Sequence, residues 1–309
     1  MKKVSKQQTE LIVAVSNEGL TDFPPAALEK DILLTEILDG LNKNENCSSE
    51  TIQIAFAGGT SLIKGYSIIS RMSEDLDFKI IARNLNQKAI SKHDLGKLRD
   101  SIGQMLDEQG YVITDHSTRD SRRYFNFDLN YESSFDPIAS LRTNIQLEFT
   151  LSLASLEVQN QPIKTLLYRD SGLVEPIIFE FLCVDPIQTA AEKLIGLLRK
   201  IDEIQSGGND RLIRHVYDLH KLKEFGLDSD RLRQAANSAI NEDSVRFNLS
   251  YPDELKSNPK SFFRNSLEKM LSIDNLENIY ESFVTELVTG ERTKFSEAIT
   301  SLKTLVQEL

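Results

Sequence analysis

The chain has 309 residues, 40% of them hydrophobic, which is enough for a substantial core and for two domains. Its formal net charge of −11 argues against a general nucleic-acid coat protein, while leaving room for a local basic groove. No apolar run reaches the roughly 18 residues a membrane span needs, and the N-terminus lacks a small-residue cleavage site, so a cytoplasmic protein with no membrane partner is expected.

In chain order, Pro24–Leu41 predicts an amphipathic helix, with proline at its start, Ala27, Leu34, Ile37, Leu38 and Leu41 at helical spacing, and Gly40 near its end. Thr51–Ala57 is a short strand that runs into Gly58-Gly59-Thr60. The alternation of Asp75-Leu76-Asp77-Phe78-Lys79-Ile80-Ile81 predicts a second strand. A polar helix is expected over 86–109, closed by Gly110. Strands follow at Tyr111–Asp115, Tyr124–Tyr131 and Asn144–Leu153, and a further one at Ile177–Val184. At Asp185-Pro186 the pattern changes. Pro186–Lys200 is a helix with proline in its first turn, Gly207-Gly208-Asn209 is a loop, and from Asp210 the period is helical, with breaks near Gly226 and at Ser250-Tyr251-Pro252. The expected architecture is α+β: a mixed-sheet domain over residues 1–185, then an all-α bundle over 186–309.

The chemistry concentrates in Gly58 to Phe78. Asp75 and Asp77, two apart on a strand, project from one face, where like charges repel unless a cation lies between them. Magnesium suits such a pair, since it takes carboxylate and phosphate oxygens together. Gly58, Gly59 and Thr60 let backbone approach a phosphate at the start of a helix, and Lys64 follows five residues after Gly59. Strand, cradle, lysine and acid pair together suggest a nucleoside triphosphate site. The two cysteines, Cys47 and Cys183, match no zinc or redox spacing, and the four histidines form no metal pattern.

The GGT-x-L-x-K-x-Y segment, an arginine (Arg71) and then S-E-D-L-D-F resemble the AbiEii/AbiGii toxin family of polymerase β-like nucleotidyltransferases. Thr189-Ala190-Ala191-Glu192-Lys193 followed by Arg199 is similar to that family's lysine-centred third motif, and Arg214-His215-Val216-Tyr217-Asp218-Leu219 to its fourth. Position 215 is His where many relatives have Asp. The resemblance implies a polymerase β-like domain and a two-metal transfer of a nucleotidyl group from a nucleoside triphosphate to the 3′ end of tRNA, which would block translation. It also implies a cognate antitoxin. It gives Asp75 and Asp77 the magnesium ions, Gly58, Gly59, Thr60 and Lys64 the phosphates, and Lys193 the triphosphate charge. Asp218 would position Lys193 or the incoming base, or simply pair with Arg214. Arg71 would touch phosphate or pair with Glu74, and Arg199 would bind nucleotide or sit as a favourable charge at its helix end. A third acid is expected from a later strand, Glu148 or its rival Asp128. Transfer to a protein hydroxyl, and a non-catalytic nucleotide-binding module, are the alternative readings.

Overall fold

The computed structural model describes residues 1–83, 90–138, 141–153, 156–171, 179–206, 210–247 and 251–309. It divides into two compact units, Met1–Ser67 with Met72–Val184, and Ile68–Arg71 with Asp185–Leu309.

The first unit is α+β. Its strands are β1 (Ile52–Ala57), β2 (Asp75–Ala82), β3 (Val112–Arg119), β4 (Tyr124–Asn130), β5 (Asn144–Leu151), β6 (Val158–Ile163) and β7 (Phe179–Val184). Among the described residues they form one mixed sheet in the order β3-β4-β5-β2-β1-β7-β6. The pairs β2–β5 and β1–β7 are parallel, and the others antiparallel. Its helices are α1 (Lys6–Asn17), α2 (Pro25–Lys43), α3 (Gly58–Lys64), α4 (Lys92–Glu108) and α5 (Leu166–Ser171).

One face of the sheet is apolar because the inward residues of five adjacent strands are mostly hydrophobic and each strand puts a phenylalanine there. Phe125, Phe149, Phe78 and Phe56 stack in sequence at 4.8, 4.8 and 5.6 Å between ring centroids, and Phe181 meets Phe56 edge-on at 6.2 Å. All five are buried. The register fixes the other face as cross-strand rows. Asp75, Gln146, Asp128 and Asp115 form one row, Asp77, Glu148, Asn126 and Ser117 the next, and Lys79, Thr150, Tyr124 and Arg119 the third.

The predicted strands are found with shifted edges. The first of the three middle strands runs Val112–Arg119 rather than to Asp115, and the fifth stops at Leu151; positions 177 and 178 of the last lie outside the described residues. The polar helix begins at Lys92, where Ser91 caps it by accepting from the Asp94 N–H; positions 86–89 of the expected start also lie outside. Strand β6, Val-Gln-Asn-Gln-Pro-Ile, has no alternating pattern to read, and is made by its ladder to β7 at the sheet edge, where Pro162 is tolerated. Gly40 does not end α2, which continues to Lys43. A Cβ there would strike the Gln109 amide and lie 2.9 Å from Met105 Sδ, so the glycine permits close approach of α4.

The second unit is helical: α6 (Pro186–Arg199), α7 (Ile201–Gln205), α8 (Arg214–Phe225), α9 (Ser229–Phe247), α10 (Asp253–Ser257), α11 (Pro259–Leu271), α12 (Leu276–Leu287) and α13 (Phe295–Glu308). Helix α6 packs on α8 and α9, and α8 on α13. The left-handed Gly226 ends α8 as expected. The loop read at 207–209 and the first residue of the break at 250 lie outside the described residues. The excursion Ile68–Arg71 is part of this unit: the Thr289 N–H donates to the Ser70 carbonyl at 2.8 Å, and Arg71 bridges to Val288. No helix of the described residues is long and apolar enough to cross a membrane.

Candidate active site

Strand β2 begins at Asp75, and its pleat sets Asp75 and Asp77 on the polar face, both half-exposed. Glu148 lies directly across from Asp77 on β5, whereas Asp128 is two strands from Asp75, beyond Gln146. The Glu148 carboxyl is held above the usual carboxylate range, first by burial and then by the Asp75 charge, with a Tyr124 hydrogen bond and Arg142 partly offsetting them. Asp128 is also raised, by burial and by Asp115, and it accepts from the amides of Asn126 and Asn144.

The turn after β1 brings Gly58 against this acid pair. Gly58 has φ 72°, and a Cβ there would collide with the Asp77 carboxylate, so only glycine fits. Helix α3 is seven residues long, two turns, so its dipole is small. Thr60 is buried, and its hydroxyl pins the turn to the strand by donating to the Asp75 carbonyl and lying 2.8 Å from Ser73 Oγ. Gly59 is buried beside it.

Lys64 stands elsewhere than the spacing suggests. It closes α3, and its buried ammonium donates to Asp31 Oδ1 of α2 at 2.6 Å and to the Lys164 carbonyl, just after β6, at 3.3 Å. Its place is that of an internal strut. Glu74 pairs with Lys30, whose ammonium also donates to the carbonyls of Arg142 and Asn144. Burial lowers the Lys30 affinity for its proton, opposed by Glu74. This buried node holds the segment before β5, and so places Arg142, whose guanidinium donates to Asp75 Oδ1 at 3.0 Å and Gln146 Oε1 at 2.9 Å. Arg142 and Tyr124 were not found from sequence. Tyr124 opens a strand whose alternation was legible; Arg142 precedes its strand and carries no local signal.

The donors present are hard oxygens on one face, and burial followed by the Asp75 charge raises Glu148, charge crowding of the kind a divalent cation relieves. Among the described residues no three acid, histidine or cysteine side chains converge as a ready metal cage. Asp75 and Asp77 are hard oxygen donors on one face, the class of donor a divalent cation takes, with Glu148 as the adjoining acid.

The helical unit holds a second cluster. Asp218 of α8 is fully buried and accepts from Arg71 Nε on Oδ1 and Nη2 on Oδ2, each at 2.7 Å, while Lys193 Nζ of α6 lies 2.8 Å from the same Oδ2. Burial alone would raise its carboxyl, yet Arg71 and Lys193 hold it well below the usual range. So Asp218 takes Arg71 and Lys193 as partners; from sequence, Asp218 is expected to position Lys193 or the incoming base, or to pair with Arg214, and Arg71 to touch phosphate or pair with Glu74. Arg214 is half-buried at the start of α8. His215 is pushed down to about 3, first by burial and then by the Lys193 charge, and so is neutral at physiological pH. Arg199 lies 4.3 Å from the Phe247 ring centroid and 5.5 Å from that of Tyr251, with Asp243 at 3.7 Å, so aromatic packing holds it inside the bundle. Cys47 and Cys183 are buried free thiols pushed up to about 12 by burial, which removes them as nucleophiles.

The family model for the AbiEii nucleotidyl transferase toxin of type IV toxin–antitoxin systems matches residues 41–301. Among solved structures the chain is similar to MenT4, a nucleotidyltransferase toxin from Mycobacterium tuberculosis H37Rv, at 16% identity and a TM-score of 0.53, over 96% of this chain and 98% of that one. It also aligns with the CD-NTase CdnG of Bradyrhizobium diazoefficiens in complex with GTP, at 13% identity and a TM-score of 0.30, over 96% of each chain. No curated protein matches.

Proposed function

The chain belongs to the AbiEii nucleotidyl transferase toxin family of type IV toxin–antitoxin systems, and from that premise we propose that it transfers a nucleotidyl group from a nucleoside triphosphate to the 3′ hydroxyl at the acceptor end of tRNA. The observation that carries the chemistry is the register: Asp75 and Asp77 share a face, Glu148 stands across from Asp77, and Gly58 presents bare backbone against the same carboxylate. The tRNA acceptor rests on the family resemblance. Added nucleotides there would block aminoacylation, and a cognate antitoxin would counter the toxin.

In the proposed reaction the acceptor oxygen bonds to the α-phosphorus, the α–β anhydride bond breaks, and pyrophosphate leaves. Asp75 and Asp77 would hold magnesium, which when bound activates the hydroxyl and neutralises the leaving phosphates. Glu148, in its ionised form, takes the hydroxyl proton, and its raised affinity for a proton makes it the stronger base. Gly58 and Gly59 leave room for phosphate. Thr60 acts by pinning the turn, and Lys64 by bracing α3 on α2. Neutralising the triphosphate remains proposed for Lys193, with Asp218 as its positioning residue.

The test incubates the protein with magnesium, total bacterial tRNA and each labelled nucleoside triphosphate, beside Asp77→Ala. Label at the tRNA 3′ end that the variant loses by at least a hundredfold supports the reading. Label on lysate protein alone overturns the tRNA acceptor, and no label anywhere overturns catalysis.

A further inference from the structure

The polar face carries a charge gradient that the transfer chemistry does not use. On one side of the Asp77–Glu148 row stand Asp75, Asp128 and Asp115; on the other stand Lys79, Thr150, Tyr124 and Arg119. Successive rows are two residues apart, about 7 Å along the strands, which is close to the reach of one nucleotide. The Arg119 guanidinium lies over the Tyr124 ring at 5.8 Å from its centroid. Tyr124 lies diagonal to Glu148 across the β4–β5 ladder, within reach of its charge. Arg119 is exposed, and Tyr124, Lys79 and Thr150 are half-exposed.

The turn that sets Arg119 is strained. Asp120, Ser121 and Arg122 have φ of 46°, 54° and 73°, left-handed values that non-glycine residues avoid. Arg122 holds the turn by donating to the Lys92 carbonyl at 3.0 Å, across Gly96, where a Cβ would meet the guanidinium at 2.5 Å. A hairpin tip constrained in this way presents Arg119 and Arg123 at a fixed corner of an otherwise acidic chain.

We propose that the Lys79–Thr150–Tyr124–Arg119 row grips the 3′-terminal nucleotides of a single-stranded nucleic-acid acceptor, a base stacking on the Tyr124–Arg119 platform and the backbone lying along Lys79 and Arg119. This rests on the transferase reading above and adds the surface that holds the acceptor. Aromatic and guanidinium planes suit an unstacked base. The acidic row repels phosphate, so the strand enters from the basic side. Thr150, between the two cations, leaves space over the sheet for the chain.

The experiment measures KM for tRNA, and Kd for a fluorescent nucleoside triphosphate, in wild type, Tyr124→Leu, Tyr124→Phe and Arg119→Gln, with circular dichroism checking the fold. Tyr124→Leu and Arg119→Gln are each expected to raise KM for tRNA about tenfold, as loss of one stacked base does, with nucleotide Kd within twofold. Tyr124→Phe, which keeps the ring and loses the hydroxyl near Glu148, should keep the wild-type KM. Arg119→Gln should also lower the slope of log affinity against log salt by about 0.7, one phosphate contact on a single strand, and Tyr124→Leu should not. Unchanged KM in both variants, with RNA labelled by wild type, overturns the row and leaves the transferase standing. A shift in nucleotide Kd instead would give the row to the triphosphate and overturn the proposal. Label on protein with none on RNA overturns the acceptor reading and the row together.

Discussion

At the scale of single residues the acid pair was legible and its supports were not. Asp75 and Asp77 declare themselves because alternation is a local property, and Glu148 because it interrupts an apolar strand. Lys64 and Arg71 did not, since their partners Asp31 and Asp218 lie 33 and 147 residues away. Gly58 shows how strict such a site is. Gly58→Ala would put a Cβ at a positive φ and into the Asp77 carboxylate. It is expected to cost about 1–3 kcal/mol of stability and to lower transfer as Asp77→Ala does. Urea unfolding and the labelling assay together check this, and a variant with wild-type transfer would sink it. Asp218→Asn leaves Arg71 and Lys193 as buried cations without their anion. A loss of about 3–5 kcal/mol is expected, read as a lower urea midpoint.

Elements were legible where hydrophobic period was strong. The Phe-bearing strands and α2 follow from it, whereas β6 exists because β7 offers an edge, a fact about a neighbour rather than about its own residues. The phenylalanine ladder makes the central strands behave as one slab. Phe149→Ala removes the ring stacked between Phe78 and Phe125; a cost of about 3–5 kcal/mol is expected, measured by chemical unfolding, and a cost under 1 would contradict this. Helix α8 carries an acid sensitivity. His215 has its folded-state pKa lowered from 6.5 to about 3, so the unfolded chain binds the proton first and stability falls as pH drops from about 6.5 toward 3. Asp218, also depressed, loses its contribution only below its ordinary value of 3.8, in the same direction. His215→Gln should flatten the change in urea midpoint between pH 7 and pH 4.5 relative to wild type; an identical change in both would refute it.

At the scale of the whole molecule, composition excluded a coat protein and the change of pattern near Pro186 marked where helices take over. What no composition shift could announce is that four residues, Ile68–Arg71, belong to the helical unit although they sit in the sequence of the other. Their effect is measurable as a coupling. In residues 185–309 made alone, Arg71 is missing, so Asp218→Asn should cost less than it does in the intact chain, by about 1–3 kcal/mol. Equal costs would show that Arg71 contributes nothing to holding Asp218.

That detour also bears on how such a toxin could be taken apart. A conditional version built by splitting the gene between Val184 and Asp185 would deliver two halves, of which the helical one lacks its own four residues Ile68–Arg71. No single cut separates the units, because the chain leaves the sheet unit after Ser67 and returns to it at Met72, just before β2. Recombination that exchanges one unit between relatives must therefore carry a distant tetrapeptide with it, and gene shuffling at the obvious boundary would tend to yield inactive, harmless chimeras.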